Sequence, residues 1–232
     1  MHSPAIKLLI SDCDGVLVDS EILSERVVMD GLSRYAPREE LEELLEGTFG
    51  LTTRDIIQMV QQRFAITLPE GTFQEIRARA EHLIATSVNP IPGVKKALEG
   101  IDLPLAVASN SLRHSVESSV ARAGLTERVA GHIFSADMVE HPKPAPDVYL
   151  LAARTMGVPP ENCLVIEDSA TGVRAALAAG MRVIGFIGAS HIPPEHAETL
   201  RRLGVTALID HMDQLHAQVN ALKETATSGQ EG

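Results

Sequence analysis

Short apolar runs alternate with longer amphipathic stretches along most of this chain. Runs at 6–10, 105–108, 164–166, 183–186 and 207–209 are rich in Val, Ile or Leu, and 133–134 is a shorter sixth candidate. Each is too short for a helix, and unbroken apolarity over so few residues predicts strands buried on both faces. Helical patterns lie between them at 113–123, 147–156 and 172–179. Ser111 is placed to N-cap the first, with Gly124 just past its end. Pro146 opens the second before Gly157, and Gly180 stops the third. Pro or Ser before a helix and Gly after it is the expected punctuation. Strand and helix in alternation predict an α/β fold with a parallel sheet.

The stretch from Ser20 to Ser87 breaks the alternation, with helical patterns at 21–34, 37–45, 53–64 and 71–86. Thr52-Thr53-Arg54-Asp55 resembles a capping start, and Ala36-Pro37, Gly47, Gly50 and Leu68-Pro69 mark turns. The prediction is a Rossmann-like sheet with helices on both faces, plus an inserted four-helix cap domain directly after the first strand. Asn89-Pro90-Ile91-Pro92-Gly93 would return the chain to the sheet as a hinge. The expected division is a core of 1–19 and 89–224, a cap of 20–88 and a disordered tail of 225–232, where no apolar face remains.

Composition narrows the function. Among 232 residues, 31 Asp and Glu stand against 20 Lys and Arg, a net charge of −11, so the basic footprint of a nucleic-acid or membrane-surface binder is missing. Aromatic residues are 3% and Trp is absent, which disfavours base-stacking platforms. At 44% hydrophobic, the chain can build a core. Two cysteines make no disulfide framework and suit a reducing, cytoplasmic setting. The N-terminus lacks the pattern of a signal peptide, and no apolar run reaches the ~18 residues of a membrane span. A monomer is the default expectation.

The chemistry-bearing residues cluster at predicted strand ends. Asp12-Cys13-Asp14-Gly15 follows the first strand; alternation lets Asp12 and Asp14 point one way while Cys13 points into the core. Two carboxylates aimed at one crevice repel each other and call for a cation or a proton. Glu167-Asp168-Ser169 follows another strand, so Asp12, Asp14 and Asp168 could form an oxygen site for Mg²⁺; the plainer reading is a cap for the next helix. Ser109-Asn110-Ser111 offers a hydroxyl and loop N–H groups to an anion. Lys143 lies between prolines in Pro142-Lys143-Pro144-Ala145-Pro146-Asp147, a rigid frame for one cation.

Taken in order, Asp12-x-Asp14-Gly15-Val16-Leu17-Val18-Asp19-Ser20, Ser109-Asn110, Lys143-Pro144-x-Pro146-Asp147 and Glu167-Asp168 resemble the four motifs of the haloacid dehalogenase superfamily. The closest likeness is to the branch with a helical cap after the first motif, which holds small-molecule phosphatases and β-phosphoglucomutase. The resemblance implies that Asp12 is the nucleophile and Asp14 the general acid and base. It implies that Ser109, Asn110 and Lys143 bind phosphate. It assigns Mg²⁺ to Asp12, the Asp14 carbonyl and Asp168, with Glu167 close by. A small phosphorylated metabolite, a sugar, sugar-acid or polyol phosphate, is the expected substrate. The dehalogenase branch is disfavoured because it would lack Asp14. A mutase would have a His at Ser24, a Lys near Phe49 and an Arg near Thr53, so hydrolysis is favoured over phosphoryl shuttling. A non-enzymatic phosphate- or Mg²⁺-binding regulator would not need Asp14.

Glu21, Ser24, Glu25 and Arg54 in the cap are candidate substrate contacts, with a solvated acidic first turn as the alternative for the glutamates. The insert is expected to act as a lid over the catalytic crevice. His191/His196 and His211/His216 are spaced at i,i+5, which does not stack on one helical face, so no histidine metal site is expected.

Overall fold

The computed structural model describes residues 4–45 and 53–227. Six strands form one sheet: β1 (Leu8–Ser11), β2 (Leu105–Ser109), β3 (Ile133–Ser135), β4 (Cys163–Glu167), β5 (Arg182–Phe186) and β6 (Ala207–Ile209), in the order β3-β2-β1-β4-β5-β6. Every pairing is parallel, with Leu9 opposite both Leu105 and Leu164. This is the expected Rossmann-like α/β architecture. β1 begins two residues later than its apolar run and extends to Ser11, which brings Asp12 to the first position beyond the sheet.

The sheet is buried on both faces. Leu8, Ile10, Ala106, Ala108, Val165 and Val183 pack against α8 (Asp147–Thr155) and α9 (Ala170–Ala178). The intervening Leu9, Val107, Leu164, Ile166 and Ile184 point the other way and are buried as well. Alternation therefore requires cover on the second face too. Among the described residues, four α-helices went unassigned in the sequence pattern: α5 (Val94–Glu99), α7 (Thr126–Val129), α10 (His196–Leu203) and α11 (Leu215–Thr227). The first two are one turn or little more, too short for periodicity to register. α11 corrects the expected tail, because residues 225–227 continue its helix.

The chain separates into two compact units, one running to Asp19 and resuming at Asn89, the other Ser20–Val88. The second holds α1 (Glu21–Leu32), α2 (Arg38–Leu45), α3 (Thr53–Phe64) and α4 (Thr72–Ser87). Val27, Val28, Leu32, Leu41, Val60 and Ile76 form its core. α1 approaches α4 so closely that a Cβ at Gly31 would lie 2.7 Å from Ile76 Cγ1. Phe49, and with it most of the loop compared with the mutase pattern, lies outside the described residues. In the first unit, the chain leaving for the helices and the chain returning pair with each other. Asp19 N–H donates to Asn89 O at 2.9 Å and Ile91 N–H to Leu17 O at 3.0 Å.

Leu9 is fully buried in the central strand. Leu9→Ala removes most of its side chain from a site flanked by two strands and is expected to destabilise the protein by about 2–5 kcal/mol. A urea unfolding midpoint unchanged from wild type would contradict this placement of the core.

Candidate active site

Chain order reverses direction at β1. β2 and β3 extend to one side and β4 to β6 to the other. In open parallel sheets the crevice at such a point, beyond the carboxyl ends of the strands, is where ligands bind. Asp12 leaves β1 there, its N–H donating to Ile166 O at 2.9 Å. Ser109 ends β2, Glu167 ends β4, and Asp168 follows. Asp12, Ser109, Lys143, Glu167 and Asp168 are all buried.

Lys143 reaches the centre of this group. Its Nζ donates to Asp12 Oδ1 at 2.7 Å, Glu167 Oε1 at 2.7 Å and Ala108 O at 2.9 Å. An ammonium has three donors, and all three are engaged. Lys143 is thus built first as the counter-ion of two carboxylates, which the expectation of a simple phosphate grip did not include. Asn110, also expected at the phosphate, spends both ends of its amide on the Lys143 main chain. Nδ2 donates to Lys143 O at 3.0 Å and Oδ1 accepts from Lys143 N–H at 2.8 Å. Its side chain fixes the lysine loop.

Glu167 is satisfied on both oxygens. Oε1 accepts from Lys143 and from the Tyr149 hydroxyl at 2.9 Å; Oε2 accepts from Ser169 N–H and Oγ, each at 3.0 Å. Ser169 Oγ in turn accepts Gly172 N–H at 3.0 Å, so Ser169 does cap α9. A side chain at Gly172 would collide with Glu167. The Tyr149 ring lies 4.7 Å from Lys143 Nζ, a cation–π contact. Sequence reasoning missed Tyr149. Its one available signal was a hydroxyl on an otherwise apolar helix face six residues after the lysine.

Asp14 faces a different set of groups. Its Oδ2 accepts from Ser111 Oγ at 2.7 Å and Ser109 Oγ at 3.2 Å, while Ser109 Oγ accepts Ser111 N–H at 2.9 Å. Ser111 is therefore not the N-cap of α6 (Arg113–Arg122), whose cap residue is Leu112. Asp137 Oδ1 accepts the Arg113 N–H at 3.1 Å instead. Asp14 Oδ2 is thus turned to the serines, and the Asp14 carboxylate is not among the clustered oxygens of Asp12, Glu167 and Asp168.

Negative charge exceeds positive in this cluster. Burial, and after it the Glu167 carboxylate, holds the Asp12 carboxyl well above the usual range. Burial opposes the Lys143 ammonium, yet Asp12 and Glu167 outweigh it and push its pKa up. Asp168 adds a third buried carboxylate to a group with one ammonium, and a cation would relieve the surplus. Oxygens of Asp12, Glu167 and Asp168 lie within 4.8 Å of one another, an all-oxygen set that suits Mg²⁺. Because Glu167 is already satisfied, Asp12 and Asp168 are the carboxylates that fit the ion. Gly15 makes room for this arrangement, since a Cβ there would stand 1.8 Å from Asp168 Oδ2. Cys13 is buried and burial raises its thiol pKa, which removes it as a nucleophile.

The candidate substrate residues of the helical unit are more dispersed. Glu21 and Ser24 are half-buried and Glu25 exposed on α1; Arg54 on α3 stacks 5.3 Å over the Phe73 ring. His191 and His196 share no helix face, as expected, but both reach Asp168.

A model of haloacid dehalogenase-like hydrolases matches residues 6–180. This chain belongs to that family. It is 28% identical over 190 residues to the 6-phosphogluconate phosphatase of Escherichia coli, covering 82% of this chain and 86% of that protein. It is 32% identical over 182 residues to the fructose-1-phosphate phosphatase of the same organism, covering 76% and 94%. A haloacid dehalogenase-like protein of unknown function from Agrobacterium tumefaciens superposes with a TM-score of 0.85 at 37% identity, over 94% of this chain and 99% of that one. The chain is thus a hydrolase whose curated relatives include phosphatases. Among the described residues, no helix is long and apolar enough to cross a membrane.

Gly15 has φ of +76°, and a side chain there strikes Asp168. Gly15→Ala is expected to leave the far-UV circular dichroism intact while turnover falls about 100-fold, the scale of a 1 Å misplacement. Unaltered turnover would show that Asp168 need not sit where it does.

Proposed function

We propose that this hydrolase is a Mg²⁺-dependent, cytoplasmic phosphatase of small phosphorylated metabolites, acting through an aspartyl-phosphate on Asp12. A sugar, sugar-acid or polyol phosphate is the substrate class. The observation that carries the reading is the buried Asp12–Lys143–Asp168 group beside an Asp14 held by two serine hydroxyls. The phosphatase names of the E. coli relatives support the substrate class.

Asp12 supplies the attacking carboxylate oxygen. Lys143 holds its other oxygen and offsets part of the charge that opposes approach to a phosphate. Asp14 delivers a proton to the leaving oxygen, then takes one from the water that cleaves the acyl-phosphate. Ser109 and Ser111 aim it for both steps. Two displacements through a covalent intermediate replace one harder step. Asp12, Asp168 and the Asp14 carbonyl would hold Mg²⁺, which when bound neutralises charge on the phosphoryl group. Ser24 is neutral where the mutase pattern would have a His, and the loop 47–54 offers Arg54 as its one cation where that pattern would have both a Lys and an Arg, which supports release to water over a second phosphoryl transfer. Selectivity among substrates is assigned to Glu21, Ser24, Glu25 and Arg54.

Phosphate release from p-nitrophenyl phosphate and a panel of phosphorylated sugars, sugar acids, polyols and glycolate tests the reading. Asp12→Asn is expected to lower kcat by on the order of 1,000-fold or more with the protein still folded, and EDTA to abolish activity reversibly. Near-normal turnover by Asp12→Asn, or full activity in EDTA, would overturn it. Glu21→Ala and Glu25→Ala are expected to reorder kcat/KM across the panel, whereas Lys143→Ala lowers it for every substrate. Uniform losses in all three variants would remove selectivity from the helical unit.

A further inference from the structure

Two histidines converge on Asp168, and the proposed chemistry does not use them. Both lie in the stretch after β5. His196, the first residue of α10, is buried, and its Nε2 is 2.6 Å from the Asp168 main-chain oxygen. A carbonyl oxygen can only accept, so this nitrogen carries the proton and donates it. His191 lies in the preceding turn with its side chain 3% exposed. Its Nε2 is 3.5 Å from Asp168 Oδ2 and its Nδ1 is 3.8 Å from Asp19 Oδ1. The neighbouring Ser190 Oγ donates to the other Asp19 oxygen at 2.5 Å. One short turn therefore touches both the Asp168 carboxylate and the end of the segment that carries Asp12 and Asp14.

We propose that His191 and His196 are positioning residues that hold Asp168 ready to bind Mg²⁺. This rests on the proposed metal site and extends it to two side chains. Asp168 stands one residue beyond the end of β4, and His196 restrains its backbone through the carbonyl. The edge of His191 limits rotation of the carboxylate, on the same oxygen that bears on Gly15. A ligand already ordered loses less conformational freedom when the ion arrives, and outer-shell partners of this kind commonly carry 10–100-fold in metal affinity.

Isothermal titration of the full chain with Mg²⁺, without substrate, tests this role. The proteins are wild type, Asp168→Ala, His191→Ala, His196→Leu, His196→Gln and, as a control on the exposed side of α11, His216→Ala. His191→Ala and His196→Leu are expected to raise the Mg²⁺ Kd about 10-fold or more. The Mg²⁺ needed for half-maximal kcat should rise in parallel, with kcat largely recovered at saturation. His196→Gln keeps an N–H donor near the Asp168 carbonyl and should regain most of the affinity; His216→Ala should match wild type. Wild-type Kd in His191→Ala and His196→Leu, with binding lost in Asp168→Ala, overturns the role of the histidines and leaves the metal reading standing. Wild-type Kd in Asp168→Ala overturns the metal reading itself. Should His196→Leu not fold, the Kd values of His191→Ala and His191→Asn test the proposal in its place: a rise of the same size supports it and a wild-type Kd overturns it.

Discussion

The Lys143 ammonium among buried carboxylates is the constraint around which the first unit is arranged. Desolvating such charges costs several kcal/mol per ion, and a buried ion pair is often no more stabilising than apolar residues of similar volume. The arrangement is tolerable because every donor of the lysine is used: Asp12, Glu167 and the Ala108 carbonyl each take one. Removing the lysine would leave buried carboxylates uncompensated in the interior, a loss that typically costs about 3–5 kcal/mol. The surplus of negative charge that remains is informative, because it is what a cation and an anionic substrate together can resolve.

Much of the surrounding sequence reads as support for that group. Asn110 grips the lysine main chain, Tyr149 bonds Glu167 and covers the ammonium with its ring, and Ser169 joins Glu167 to the start of α9. Two glycines act by having no side chain: Gly15 leaves space for Asp168 and Gly172 for Glu167. The two serines after β2 orient Asp14, so the paired aspartates of the first loop have separate partners.

Sheet order explains why residues 131 positions apart can meet. Reversal at β1 places the ends of β1, β2 and β4 side by side. The lysine arrives from the loop before α8, a helix that packs on the same sheet face. The residues of this charge cluster belong to the first unit, and the helical unit has its own apolar core of residues from α1, α2, α3 and α4.

By itself the sequence determined the strands, the helices between residues 20 and 88 and those near 113–123, 147–156 and 172–179, and the positions of the four motifs. These are local signals: apolar runs bounded by Pro and Gly, and acids placed directly after them. Asp12, Asp14, Lys143 and Asp168 were legible because each follows a strand or sits in a rigid loop. Only the tertiary structure decided what each side chain touches. Ser111 has the composition of a cap, yet a carboxylate from another strand takes its hydroxyl. Asn110 reads as an anion contact, and only the folded chain shows that its side chain holds the lysine loop. His191 and His196 were judged on helical spacing, a rule that has no force when one residue lies in a turn and both approach a third from the chain beyond it. Hydrogen-bond partners far apart in sequence are chosen by the packing of the sheet, and no local period encodes that choice.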